Sequence, residues 1–340
     1  MFNKYTIGNF EVQNRCVRSA TATGTCDIVT GILEQKFYDI YESLARGNVG
    51  LIIQEHAFVS LKGHADHKQL GIHQDSMIQY HQLANSKMRA ANNNIKICSQ
   101  LAHAGPNCSN ENKIEINNAS VSDFQIVVQE FKDAAIRAKI ANYDCVQIHA
   151  GHTYLLSQSI STYYNNRTDE YKASEFKLLK DVLEAIRTVG IPVGVKLQCD
   201  DFIEGYSMNA KSACKIIESL QFDFVEVSGG GYTGGAKFGT IRQGKDKYYY
   251  QHVIQELKQL NLLNKQPVIV TGGFQNIEDA NLAFQDGVPL VGFARKFLRN
   301  DQFLIDGDTK KCAKCNQCIN GLLKNSEAVC IVSAKQSKLI

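Results

Sequence analysis

The chain has 340 residues, 44% of them hydrophobic, with 37 basic and 34 acidic side chains and a formal net charge of +3. Near-neutral charge without a long block of like charges gives no electrostatic reason to expect nucleic acid or a membrane surface as partner. No apolar run approaches the roughly 18 residues of a membrane span, and Met1 to Asn14 lacks the apolar core of a secretory signal, so a cytoplasmic protein is expected.

Short β-branched runs recur along the chain. They lie at Cys16 to Ala20, Gly50 to Glu55, Ile95 to Leu101, Asp144 to His149, Pro192 to Leu197, Phe222 to Ser228, Pro267 to Thr271 and Val288 to Phe293. Most are continuously apolar, which suits parallel strands covered on both faces. The segments between them have helical spacing. Ser122 and Gln125 form a capping-box pattern ahead of Phe124, Val127, Val128, Phe131, Ala135 and Ala138, which repeat at three- and four-residue intervals. Phe176, Leu179, Leu183 and Ile186 repeat in the same way after Ser174, and Asn276 with Asp279 opens a helix just beyond Gly272 and Gly273. Eight strand-then-helix units predict an α/β fold, a (β/α)8 TIM barrel. The alternative, a doubly wound open sheet, lacks its glycine-rich turn after the first strand. The expected division is a barrel over residues 1–305 and a short cysteine-containing tail over residues 306–340.

In such a barrel the functional groups stand at the carboxyl ends of the strands. Those ends carry Ser19 to Ala22, Glu55 and His56, Gln100 with His103, His149 with His152, Lys196, Ser228 with Gly229, Gly272 with Gly273, and Ala294 with Arg295. Thr271-Gly-Gly-Phe274 and Gly292-Phe-Ala-Arg295 each open a helix, so backbone N–H groups and a guanidinium can converge on one phosphate. His149-Ala-Gly-His152-Thr-Tyr154 can offer two donors to a carbonyl oxygen and a proton to the neighbouring carbon. The same imidazoles can also be satisfied loop histidines; for zinc, the H-E-x-x-H pattern and a nearby carboxylate are missing. Lys196 on an interior strand is costly to bury unpaired, so it faces an anion or an electron-rich ring, or pairs with Asp200 or Asp201.

Further stretches run in one order along the chain: Asn14-Arg-Cys-Val-Arg-Ser-Ala-Thr21, Gly50-Leu-Ile-Ile53, Gln100-Leu-Ala-His-Ala-Gly105, Val146-Gln-Ile-His-Ala-Gly-His-Thr-Tyr-Leu155, Asn166-Arg-Thr-Asp-Glu-Tyr171, Gly194-Val-Lys-Leu197 and Glu226-Val-Ser-Gly-Gly230. In these the chain resembles the old yellow enzyme family of FMN-dependent NAD(P)H oxidoreductases and ene-reductases. The resemblance implies an FMN-binding (β/α)8 barrel, NADH or NADPH as reductant, an electrophilic alkene of enone or enoyl type as small-molecule substrate, and a homo-oligomer. It implies that Ser19, Ala20, Thr21 and Ala22 line the flavin ring, that Gln100 bonds its pyrimidine end, and that Lys196 sits near its N1 and C2 carbonyl edge. Gly272, Gly273, Phe274, Ala294 and Arg295 would hold the phosphate. His149 and His152 would bind the substrate's carbonyl, and Tyr154 would protonate the α-carbon while flavin N5 delivers hydride to the β-carbon. Some positions depart from the family pattern: Ala22 replaces a frequent cysteine or threonine, His56 a glycine or alanine, Pro106 an arginine, and Lys172-Ala173 a Gly-Gly pair.

The sequence has 11 cysteines, an odd number with no export signal, which points to reduced thiols. Cys312-x-x-Cys315-x-x-Cys318, followed by Cys330, has a spacing that can hold a [4Fe-4S] cluster or zinc, or leave the thiols unligated. Longer relatives of the 2,4-dienoyl-CoA reductase type carry a similar set for a cluster and continue into a second flavin and dinucleotide domain. With the sequence ending at Ile340, that domain is expected to be absent. The alternative function is a flavin-binding redox sensor or an electron-transfer protein that uses these cysteines.

Overall fold

The computed structural model describes residues 1–65, 68–108, 111, 113–202, 208–230, 247–307, 311–322, 324 and 326–336. Strands β1 (Tyr5–Ile7) and β2 (Phe10–Val12) form an antiparallel hairpin. Then come β3 (Cys16–Arg18), β4 (Leu51–Phe58), β5 (Leu70–Gly71), β6 (Lys96–Ala102), β7 (Cys145–Ala150), β8 (Val193–Gln198), β9 (Phe224–Ser228), β10 (Val268–Thr271) and β11 (Leu290–Phe293). All pairings among these are parallel, in the order β3-β11-β10-β9-β8-β7-β6-β4, and pairing of Val17 with Leu51 and Arg18 with Ile52 joins β3 to β4. The sheet therefore closes on itself as the predicted (β/α)8 barrel, and β5 is a short parallel addition to β4.

Two strands end two or more residues away from the expected carboxyl limit. The first barrel strand ends at Arg18, so Ser19 and Ala20 begin the loop above it. Strand β4 runs on to Phe58 with a register shift between Ile53 and His56, which puts Glu55 and His56 inside the strand. Such an irregularity re-aims the side chains that follow it.

The helices follow local capping chemistry. Helix Val121–Ile140 starts two residues earlier than the Ser122–Gln125 pattern suggested. The Ser120 hydroxyl accepts from the Asp123 N–H, and the Asp123 carboxylate accepts from the Ser120 N–H at 2.8 Å, closing the box two residues upstream. Helix Ile277–Gln285 opens as expected, with Asn276 Oδ1 accepting from the Asp279 N–H at 2.9 Å. Helix Lys177–Arg187 is entered through Phe176 in the left-handed region, with Ser174 in a short 3-10 turn before it.

Side chains alternate across each strand, so one set faces the helices and the other fills the barrel. The lower interior is apolar: Val17, Leu51, Ile53, Cys98, Cys145, Phe224, Ile269 and Leu290 pack with Ile7 and Val12 of the hairpin, which plugs the bottom. Phe224 fits because β8 carries glycine opposite it. A Cβ on Gly194 would lie 2.4 Å from the Phe224 ring. Gly194→Ala is expected to cost about 1–3 kcal/mol by overpacking, and Phe224→Leu in the same chain should recover part of that loss. Urea midpoints test this, and strictly additive losses in the double variant would contradict it.

Candidate active site

The barrel interior changes character over one step along the strands. Val17, Cys98, Cys145, Gly194, Phe224 and Ile269 are followed, two residues on and so on the same face, by Ser19, Gln100, Gln147, Lys196, Glu226 and Thr271. Glu226 organises this second layer with no exposed surface. Its Oε1 accepts from the Ser19 hydroxyl, accepts from Thr271 Oγ1 at 2.8 Å and lies 3.4 Å from Lys196 Nζ. Its Oε2 accepts from Gln147 Nε2 at 2.9 Å, and Gln147 Oε1 in turn accepts from Gln100 Nε2 at 2.6 Å. Lys196 also donates to Ser19 Oγ at 3.1 Å. Burial lowers the Lys196 pKa while the Glu226 carboxylate pulls it back up. Its partner is therefore Glu226. Asp200 pairs with His252 at 2.7 Å, and Asp201 accepts from Gln198 at 2.8 Å and Ser161 at 3.0 Å.

Above Lys196 stand four rings. His149 is the penultimate residue of β7, with its ring centroid 5.0 Å from those of both His152 and Tyr154. His56 adds a fourth, 6.0 Å from His149, with Nε2 3.0 Å from the Tyr154 hydroxyl. The loop that makes this possible is conformationally demanding, since His152 and Thr153 both have positive φ, 59° and 60°. Neighbouring groups hold it. Gln198 Oε1 accepts from the His152 N–H at 2.8 Å, His152 Nε2 is 2.9 Å from Ser228 Oγ, and the Thr153 carbonyl accepts from both Asn107 and Gln158 at 2.8 Å. Burial pushes the His149 pKa well below 6.5, helped by His152, His56 and Lys196, and pushes His152 down to about 3. Both are therefore neutral at pH 7. His149 Nδ1 is buried and bonded to no group of the chain among the described residues. His103 does not join the cluster; its ring packs against Gly63, and its Nδ1 accepts from the Gly105 N–H at 3.1 Å.

The other expected residues meet at the same end of the barrel. Ala20, Thr21 and Ala22 are half-buried in the loop after β3. That loop is anchored by Glu55, which accepts from both the Thr23 N–H and hydroxyl at 2.6 Å; burial raises the Glu55 pKa to about 7 against those bonds. Gly272, Gly273 and Phe274 follow β10, and Ala294 and Arg295 follow β11. Gly273 has φ 91°, open to glycine and strained for other residues. The Arg295 guanidinium donates to Tyr249 Oη at 3.1 Å and to Asn316 Oδ1 at 2.9 Å.

These residues fit a bound FMN. A buried lysine and a buried glutamine stand below the mouth, an unpartnered imidazole nitrogen lies within it, and a positive-φ glycine turn beside a guanidinium could hold a phosphate. The sequence reading did not single out Glu226, Gln147 or Gln198 as site residues. The available signal was strand parity, because each lies on the inward face of its strand, in step with Cys145 for Gln147, Phe224 for Glu226, and Gly194 and Lys196 for Gln198.

The cysteine segment is a different matter. None of the 11 cysteines, all among the described residues, forms a disulfide. Among the described residues, no three His, Cys, Asp or Glu side chains form a metal-ligand group. The spacing of Cys312, Cys315, Cys318 and Cys330 still allows a ligand set. Cys312, Cys318 and Cys330 are half-buried, and Cys315 is exposed.

The sequence description of the NADH:flavin oxidoreductase / NADH oxidase family matches residues 1–126 and 113–306. An NADPH dehydrogenase of Geobacillus sp. (strain WCH70) is 28% identical over 88% of this chain and 91% of its own. An NADH oxidase of Thermoanaerobacter brockii is 26% identical over 98% of this chain; the chain spans 56% of that longer protein. The solved old yellow enzyme homologue from Zymomonas mobilis superposes with a TM-score of 0.74 at 22% identity, covering 92% of this chain and 94% of that one. Among the described residues no helix is long and apolar enough to cross a membrane.

Glu226→Gln removes the charge that faces Lys196 in a site closed to water, and is expected to destabilise the fold by about 3–5 kcal/mol. Lys196→Met should also destabilise it, and the double variant should lose less than the sum. A denaturant double-mutant cycle with no coupling between the two positions would contradict the pairing.

Proposed function

The chain belongs to the NADH:flavin oxidoreductase / NADH oxidase family, and from that premise we propose that it reduces an activated C=C bond of an enone or enoyl compound at the expense of NADH or NADPH. FMN, when bound, supplies the hydride chemistry. Its binding residues are Ser19, Ala20, Thr21, Ala22, Gln100 and Lys196 at the ring end, and Gly272, Gly273, Phe274, Ala294 and Arg295 at the phosphate end. Lys196 provides a cation against the ring, and Glu226 with Ser19 fixes where that cation stands.

The observation that carries this reading is the ring cluster at the barrel mouth, with its buried and unbonded His149 Nδ1. His149 and His152, both neutral, can donate N–H to the oxygen of an electron-withdrawing group, which gathers negative charge as the double bond is reduced. Tyr154, 3% exposed, holds the hydroxyl proton that closes the reaction on the α-carbon. The low exposure of this group limits competition from water. The conversion balances as hydride to the β-carbon and a proton from Tyr154 Oη to the α-carbon, with the phenol reprotonated afterwards. A redox-sensor or electron-transfer role for Cys312, Cys315, Cys318 and Cys330 is the second reading, carried by their spacing.

Anaerobic reduction with each nicotinamide, followed by reoxidation with enones, enoyl thioesters and quinones, tests the reaction class; indifference to every alkene would overturn it. Tyr154→Phe is expected to slow reoxidation by an enone about 100-fold or more while reduction by the nicotinamide stays nearly intact. Equal losses in both half-reactions, followed by stopped-flow absorbance, would count against Tyr154 as the acid. A downward shift in pKa means that more acid is needed to charge an imidazole. The enone kcat/KM should therefore show no inflection near pH 6.5 from His149 or His152, and an inflection there that disappears in His152→Asn would refute the neutral pair.

A further inference from the structure

We propose that the cysteine-bearing segment belongs to the phosphate site, with Asn316 positioning the Arg295 guanidinium and Lys314 bringing a second cation to the same anion. The inference rests on the reading that Gly272 to Phe274 and Ala294 to Arg295 hold the FMN phosphate.

The segment lies against both of those turns. Asn316 Oδ1 accepts from Arg295 Nη1 at 2.9 Å, while Tyr249 Oη accepts from Nη2 at 3.1 Å. A guanidinium is a planar fork of five donors, so holding both terminal nitrogens fixes the plane in which the fork lies. Tyr249 is itself tied to the glycine turn, because its N–H donates to the Gly272 carbonyl at 3.1 Å. Lys314 Nζ stands 5.9 Å from the centre of the Tyr249 ring, which places its charge beside the same phenol that holds Arg295. The Cys312 N–H donates to Gln275 Oε1 at 2.8 Å, directly after the Gly272 to Phe274 turn.

The backbone is curled to reach this position. Lys314 and Asn316 both have positive φ, 53° and 56°, and the Lys314 N–H points to Cys312 Sγ at 3.4 Å. The far end of the segment is fastened as well. The Ala328 N–H donates to the Thr23 carbonyl at 2.8 Å, Glu327 pairs with Lys36, and a Cβ on Gly24 would lie 2.6 Å from the Ser326 carbonyl. Gln275 and Thr23 follow different barrel strands at the same carboxyl end. The segment is therefore anchored at two points on the mouth, with Lys314 and Asn316 at the phosphate side. The cysteines assist by backbone placement, and no thiol chemistry is required of them.

The test compares FMN with riboflavin, which lacks the phosphate, by fluorescence titration of the full chain stripped of flavin. Lys314→Met and Asn316→Asp keep the approximate shape of each side chain and change its charge, and Asp still accepts from Arg295. Each is expected to weaken FMN about tenfold, the scale of one charge-assisted hydrogen bond, and riboflavin by less than about twofold. Thermal melting of each apoprotein accompanies the titration, and an unchanged melting point assigns the loss to the site. Unchanged FMN affinity in both variants, or equal weakening of FMN and riboflavin at an unchanged melting point, would overturn the inference. A wild-type chain that prefers FMN while the variants keep that preference would remove the segment alone from the phosphate site. A wild-type chain that does not prefer FMN would remove the phosphate site and the inference together.

Discussion

A carboxylate with no access to water has to be answered from every side, and Glu226 sets the terms for the centre of this barrel. Its two oxygens collect Ser19, Thr271, Lys196 and Gln147, contributed by three strands and the loop after β3, and Gln147 passes the order on to Gln100. A buried ion pair of this kind adds little to stability compared with a well-packed apolar core, but losing one partner is severe. The network therefore serves geometry more than stability. It holds an ammonium and an amide at defined places beneath the mouth, where a cofactor ring requires fixed charges.

The layer below makes that network affordable. The hairpin residues Ile7 and Val12 and the inward residues of the strands form a dry floor, so the polar layer meets water only from above. The complementary pair of Gly194 and Phe224 shows how closely this floor is fitted. The layer above trades stability for placement. His152 and Thr153 adopt left-handed backbone, held there by Gln198, Asn107 and Gln158, and this turn sets His149, His152 and Tyr154 ring to ring. Residues kept in such conformations concentrate at functional sites, since surrounding contacts are needed to maintain them.

The eight strands were legible because apolar runs flanked by helical periodicity leave a strong local signal. The candidate residues were legible because a parallel barrel places all strand ends on one face. The errors have local causes. The capping box lay at Ser120 and Asp123 because two overlapping serine patterns compete for one helix start. Strand β4 extended through His56 because an irregular register is invisible in composition. Glu226 was missed as a site residue because a single acidic residue in an apolar run gives no sign of its partners, all distant in sequence.

The sequence by itself determined the class of fold, the order of the strands and the inventory of groups at their carboxyl ends, because these follow from periodicity and from the one-sided geometry of parallel strands. Only the tertiary structure decided that Lys196 answers Glu226 and not Asp200 or Asp201, that His56 bonds the Tyr154 phenol, and that Asn316 reaches Arg295. Each of those pairings joins residues on different strands or loops. Their distances depend on barrel closure, register and the docking of the last segment, and no local pattern of residues encodes those.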